Sequence, residues 1–142
     1  MAEPALSRPD TTALLARGVT RMLLDHGLAP ALEIPLANGR RADVMAMGPR
    51  GEIWIVETKS CLADYAVDSK WPDYLAYCDR FLFAVTEDFP HALIPHDAGL
   101  IVADGFGGAI LRESPLRPLA PARRKAVTIA FARLAAIRAA LV

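Results

Sequence analysis

Cysteine is scarce in this chain. Cys61 and Cys78 are the only two among 142 residues, and no CxxC motif occurs. None of the three histidines lies at zinc-site spacing from them. These absences argue against a disulfide framework and against a structural zinc site. We therefore expect two reduced, buried thiols.

Long apolar runs are absent as well. No stretch approaches the roughly eighteen consecutive apolar residues of a membrane-spanning helix. The N-terminus, Met-Ala-Glu-Pro, has neither the basic region nor the apolar region of a signal peptide. The sequence therefore predicts a cytoplasmic protein without membrane association.

The chain also has no net charge, since sixteen Lys and Arg residues balance sixteen Asp and Glu residues. A protein with a net charge of zero lacks the excess of positive charge that is typical of nonspecific nucleic-acid binders. The balance is uneven along the chain: residues 1–50 carry +1, residues 51–110 carry −7 and residues 111–142 carry +6. Such a distribution fits a carboxylate site beside an anionic partner, and it also fits chance.

The length and the 54% apolar content predict one globular domain over 10–142, with 1–9 a loose leader and 113–142 a basic helical extension. A first helix begins near Asp10, and Gly27 ends it. Three short strands then form an antiparallel meander, followed by a short helix, a buried strand, a hairpin and a final helix. The predicted segments after Gly27 are 32–36, 41–47, 52–59, 69–78, 81–85, 99–104 with 109–112, and 121–141.

Two turns determine which side chains face each other across the meander. A three-residue loop at Pro49–Gly51 makes paired residue numbers sum to 100, which places Asp43 opposite Glu57. The same kind of loop at Ala37–Gly39 makes the sums 76 and places Glu33 opposite Asp43. A two-residue turn is the competing register there, and it sends Glu33 to the other face.

The tripeptide Glu57-Thr58-Lys59 ends the apolar third strand, and strand alternation places Glu57 and Lys59 on one face. Carboxylates that oppose each other across a sheet destabilise it unless a charge compensates them, and Mg²⁺ or Mn²⁺ is the simplest compensation. Together with an ammonium group, such a metal site matches the needs of phosphodiester hydrolysis. The alternative is that Asp43 and Glu57 are solvated, or form ion pairs with Arg41 and Lys59.

The order of elements, with Asp in the second strand and Glu-x-Lys in the third, resembles the core of the PD-(D/E)XK nuclease superfamily. The runs Gly39–Val44, Trp54–Ser60, Ser69–Tyr74 and Tyr77–Phe81 are similar to those of bacterial MmcB-like DNA repair proteins. The resemblance covers about residues 10–115. It implies a restriction-endonuclease-like α/β fold of three layers, in which helices flank a mixed sheet that contains the antiparallel meander.

The resemblance also implies roles for individual residues. Asp43 and Glu57 would be metal ligands, and the Thr58 carbonyl a third. Lys59 would be the catalytic lysine, and Glu33 a support for the metal or a water. We therefore expect Mg²⁺- or Mn²⁺-dependent hydrolysis of DNA in repair, with a homodimer or another repair protein adding DNA-binding surface.

Two other functions are compatible with the same residues. The chain could be a catalytically idle nuclease-fold module that binds DNA or protein in a repair complex. The metal site could also serve RNA or a small phosphorylated substrate. The final helix either meets a phosphate backbone or presents a solvated basic face, which is formed by Arg123, Arg124, Lys125, Arg133 and Arg138.

Overall fold

The computed structural model describes residues 8–61 and 70–142, which form one six-stranded sheet with helices on both faces. The first helix begins two residues before its predicted start, and residues 1–7 of the predicted leader lie outside the described ranges. The predicted helix over 69–78 is a 3₁₀ helix, and Ser69 lies outside the described ranges. The elements are α1 (Arg8–Asp25), β1 (Ala29–Pro35), β2 (Arg41–Met47), β3 (Ile53–Lys59), a 3₁₀ helix (Trp71–Tyr77), β4 (Arg80–Val85), a 3₁₀ turn (His91–Leu93), β5 (Gly99–Ala103), β6 (Gly108–Arg112) and α2 (Pro121–Ala140).

The strands follow chain order across the sheet, from β1 to β6. β1, β2 and β3 are antiparallel, β3, β4 and β5 are parallel, and β6 is antiparallel to β5. The sheet is therefore mixed and open. The predicted fold class is confirmed, since this three-layer α/β arrangement is consistent with the restriction-endonuclease-like fold.

Both predicted three-residue loops are present. Gly39 and Gly51 end them in the left-handed region, with φ of 86° and 85°, where a side chain would be strained. Across β2 and β3 the paired numbers sum to 100, as in Val44 with Val56. Across β1 and β2 they sum to 76, which excludes the two-residue turn. The register that the turns predict is therefore confirmed.

The sheet carries an apolar cluster on each face. On one face lies α1, which buries four apolar side chains against the sheet. On the other face lie the 3₁₀ helix and α2, where Trp71 stacks on Phe81 with ring centroids 5.4 Å apart. Leu141 follows the end of α2 and is exposed. The buried α1 positions are Leu15, Val19, Met22 and Leu23.

The prediction of two buried thiols is confirmed for Cys78 and is wrong for Cys61. Cys78 is buried, Cys61 is half-buried, and both are free thiols. Within the described residues, no helix is long and apolar enough to cross a membrane.

Gly18 lets the backbone of α1 approach the turn between β5 and β6. A Cβ at this position would overlap the carbonyl oxygen of Asp104. We expect Gly18→Ala to lower the free energy of unfolding by about 1–3 kcal/mol, because helix and turn must move apart. Thermal unfolding measures the loss, and Gly107→Ala is the matched control, since its Cβ would meet no atom within 4 Å. Equal melting temperatures for the two variants would contradict the prediction.

Candidate active site

The backbone ladder between β2 and β3 stops at one end of the two strands, and two carboxyl groups continue the contact there. The last paired residues are Val44 and Val56. Beyond them, the Asp43 N–H donates to Glu57 Oε1 at 2.9 Å, and the Thr58 N–H donates to Asp43 Oδ2 at 2.9 Å. The Thr58 hydroxyl donates to the same Oδ2 at 3.1 Å. Each carboxyl group is therefore held by the backbone of the opposite strand. We call them the Asp43–Glu57 pair.

Burial sets the protonation state of this pair. Glu57 is only 4% exposed, and burial raises its pKa to about 9. The charge of Asp43 and a hydrogen bond between the two carboxyl groups also raise that pKa, whereas the Asp43 N–H and the Lys59 cation lower it. At neutral pH the metal-free protein thus keeps a proton on Glu57. The alternative of two solvated edge carboxylates is wrong.

Lys59 lies two residues beyond Glu57 on the same strand, so the two side chains share a face. It is 9% exposed, and its positive charge lowers the pKa of Glu57, although burial and Asp43 raise that pKa by more. Parallel pairing with β4, in which Lys59 faces Val85, keeps this end of β3 extended after β2 has separated. The fold therefore holds an ammonium group beside the carboxyl pair.

The Thr58 carbonyl was predicted as a third ligand. The backbone N–H of Thr58 points toward β2, because it donates to the Asp43 carboxylate. The N–H and C=O of one residue in an extended strand point to the same side, as they do in a hydrogen-bonded antiparallel pair. The Thr58 carbonyl is therefore directed to the side of the strand on which Asp43 lies.

Glu33 does not join the pair. Its backbone is left-handed, with φ of 53°, and its carboxylate lies 3.8 Å from the Arg41 guanidinium, with both side chains 65% exposed. The Arg138 guanidinium donates to the Glu33 carbonyl at 2.7 Å. Among the residues that the structure describes, no three His, Cys, Asp or Glu side chains could together hold a metal ion. The predicted line of three carboxylates is therefore wrong, because the backbone at Glu33 turns its side chain toward Arg41. A catalytic role for Glu33 stays a prediction.

The donor set fits a hard divalent cation. The Asp43–Glu57 pair and the Thr58 carbonyl offer the oxygen ligands that Mg²⁺ and Mn²⁺ prefer, and Mg²⁺ usually keeps several waters in addition. Protein ligands must be deprotonated, so binding requires Glu57 to lose its proton.

Asp79 is a structural residue that sequence patterns did not single out. Its carboxylate is buried, pairs with Arg124 and accepts the Ile53 N–H at 2.8 Å and the Leu119 N–H at 2.9 Å. It thus fixes the start of β3, the strand that carries Glu57. Arg124 was assigned to a basic face, and no local signal could have revealed a partner forty-five positions away.

Comparison with known proteins gives two matches. A family model described as "DNA repair protein MmcB-like" matches residues 2–142. The solved structure of the SPO1766 protein of unknown function from Silicibacter pomeroyi is 45% identical, with a TM-score of 0.87. That match covers 95% of this chain and 90% of the other. No curated protein matches the chain. The similarity to MmcB-like proteins that the sequence motifs indicated is confirmed.

Proposed function

Because this chain belongs to the MmcB-like family of DNA repair proteins, we propose that it hydrolyses phosphodiester bonds in DNA as a metal-dependent enzyme of the PD-(D/E)XK type. The observation that carries the proposal is the Asp43–Glu57 pair, held by backbone N–H groups beside Lys59 where β2 and β3 separate. We place this activity in the cytoplasm, with a second copy or another repair protein adding DNA-binding surface.

Each residue of the site has a role in this proposal. Asp43, Glu57 and the Thr58 carbonyl would hold Mg²⁺ or Mn²⁺, and the ion would supply a Lewis acid for the phosphate and a lowered pKa for a water. The Lys59 ammonium orients that water or stabilises the negative charge that develops on the phosphate. The hydroxyl and N–H of Thr58 keep Asp43 in position.

A cleavage assay on single-stranded, double-stranded and branched DNA, with RNA in parallel, tests the proposal. We expect cleavage of DNA with Mn²⁺ or Mg²⁺ and none with EDTA. Asp43→Asn and Lys59→Met should lower the rate by at least about 100-fold, since the first removes a negative charge that would hold the metal and the second removes a positive charge that would stabilise the transition state. The exposed changes Asp25→Asn and Lys125→Met are matched controls. Unchanged cleavage in both site variants would contradict the proposal, and cleavage of RNA alone would redirect it.

One observation favours a second function. In the described residues only two carboxyl groups gather, and one of them is protonated in the metal-free protein. This fits a nuclease-fold module that binds DNA or protein without catalysis. Calorimetry separates the two functions, because such a module would show no Mn²⁺ binding at millimolar metal while its DNA binding stays intact.

A further inference from the structure

We propose that a basic cleft beside the Asp43–Glu57 pair binds a backbone phosphate of the DNA strand, so that the strand passes from this cleft to the carboxyl groups. The inference rests on the proposed function and names the surface that DNA would use. The cleft has a volume of about 660 Å³ and lies between the β1–β2 loop, the 3₁₀ helix and the start of α2. We call it the arginine cleft, and its polar lining includes Asn38, Arg40, Asp73, Tyr77 and Arg123.

Contacts within the arginine cleft hold the side chains of Arg40 and Arg123 in place. The Arg40 guanidinium pairs with Asp73 at 3.2 Å through one nitrogen, which leaves further N–H donors for a phosphate. Asn38 fixes the loop, since it accepts the Arg40 N–H at 3.0 Å and donates to the Asp73 carbonyl at 3.2 Å. Arg123 lies over the Tyr77 ring, 4.5 Å from its centroid. Two arginines against one aspartate leave the cleft with a net positive charge.

Two other arginines of α2 are engaged by the fold. Arg124 binds Asp79 and the Gly51 carbonyl, and Arg138 donates to two carbonyls of β1. Arg123 instead lines the open cleft. The basic helix predicted from sequence thus contains structural arginines and one cation that faces the arginine cleft.

The 3₁₀ helix that lines the arginine cleft is joined to β2, the strand that carries Asp43. Tyr74 of the 3₁₀ helix donates to the Arg41 carbonyl at 3.3 Å, which ties this helix to β2 two residues before Asp43. Arg40 is three residues from Asp43, or about 10 Å along an extended chain. One strand of a duplex advances about 3.4 Å per nucleotide, so this separation corresponds to about three nucleotides. A strand cleaved at the pair would therefore place a nearby phosphate at the cleft.

Salt-dependent DNA binding in EDTA tests the inference without requiring catalysis. We expect the double variant Arg40→Gln/Arg123→Gln to bind DNA more weakly than the wild type does, whatever the base sequence of the DNA. The slope of log K against log salt should become shallower by about 1, because the cleft binds one phosphate and each phosphate contact contributes about 0.9. Arg17→Gln/Arg21→Gln is the matched control, since these arginines are exposed on α1, across the sheet. Arg123→Lys should keep most of the slope, since it retains the charge.

The outcomes also separate this inference from the proposed function. Wild-type affinity and slope in the Gln double variant would overturn the inference, as would equal losses in the α1 control or no DNA binding by the wild type. If the double variant binds normally while the wild type cleaves DNA, only the inference fails. If the double variant loses binding while the wild type cleaves nothing with Mn²⁺, only the proposed catalysis fails. Circular dichroism checks that each variant is folded.

Discussion

Replacing Asp79 with alanine should lower the free energy of unfolding by about 3–5 kcal/mol, which is much of the total. The carboxylate is 3% exposed and accepts hydrogen bonds from Ile53, Leu119 and both terminal nitrogens of Arg124. Its loss leaves the Arg124 guanidinium without its carboxylate, a buried N–H donor of Ile53 unsatisfied and a part-buried N–H donor of Leu119 without its acceptor. A domain of this size has only about 5–15 kcal/mol in total, so the variant should melt far below the wild type. Thermal or urea unfolding measures the difference.

The matched control is Asp73→Ala. Asp73 also pairs with an arginine, Arg40, but its side chain is 50% exposed. Exposed ion pairs contribute at most about 1 kcal/mol, so this variant should unfold close to the wild type. If both variants lost the same free energy of unfolding, burial would not explain the stabilisation by the Asp79–Arg124 pair.

Acid unfolding gives a second measure of the same pair. Burial alone would raise the pKa of Asp79, but hydrogen bonds from Arg124, Ile53 and Leu119 outweigh it and lower the pKa. The stabilisation is therefore fully present above the ordinary pKa of aspartate and is lost as pH falls through the lowered pKa. We expect the melting temperature of Asp79→Asn to depend less on pH in the acid range than that of the wild type.

The predictable part of the candidate site is the part that short turns determine. Gly39 and Gly51 set two hairpin registers, and these bring Asp43 opposite Glu57. Strand alternation then adds Lys59 to the same face. Each step depends on neighbours in sequence, so the amino-acid pattern was sufficient.

The parts of the site that could not be predicted depend on contacts between residues that are far apart in the sequence. A positive φ at a glutamate is uncommon, and nothing near Glu33 indicates it. The guanidinium that holds its carbonyl comes from Arg138, 105 positions away. The pairing of Arg124 with Asp79 likewise appears only after α2 has packed on the sheet. Register is a local property here, whereas side-chain partners are set by tertiary packing.

Glu57→Gln should have opposite effects on stability and on metal binding. In the metal-free wild type the pKa of Glu57 is raised to about 9 from an ordinary value of 4.5. Between these values the native state holds a proton that the unfolded state has released, so the free energy of unfolding falls as pH rises, by at most about 1.4 kcal/mol per unit. Glutamine is neutral and can still accept the Asp43 N–H. The variant should therefore melt above the wild type at about pH 8, and the two should converge near pH 5.

The same substitution should weaken Mn²⁺ binding by at least about 100-fold, because glutamine cannot supply the second negative charge. In the wild type, binding must release the Glu57 proton, so the affinity for Mn²⁺ should rise about tenfold per pH unit between about pH 6 and 8. Calorimetry in buffers of different ionisation enthalpy measures the affinity and the protons released, with Glu52→Gln, a half-buried position just before β3, as the control. Mn²⁺ affinity that is independent of pH, or retained in Glu57→Gln, would mean that the metal binds elsewhere. A gain in stability together with a loss of metal binding would identify Glu57 as a buried acid that the fold keeps protonated until a cation replaces the proton.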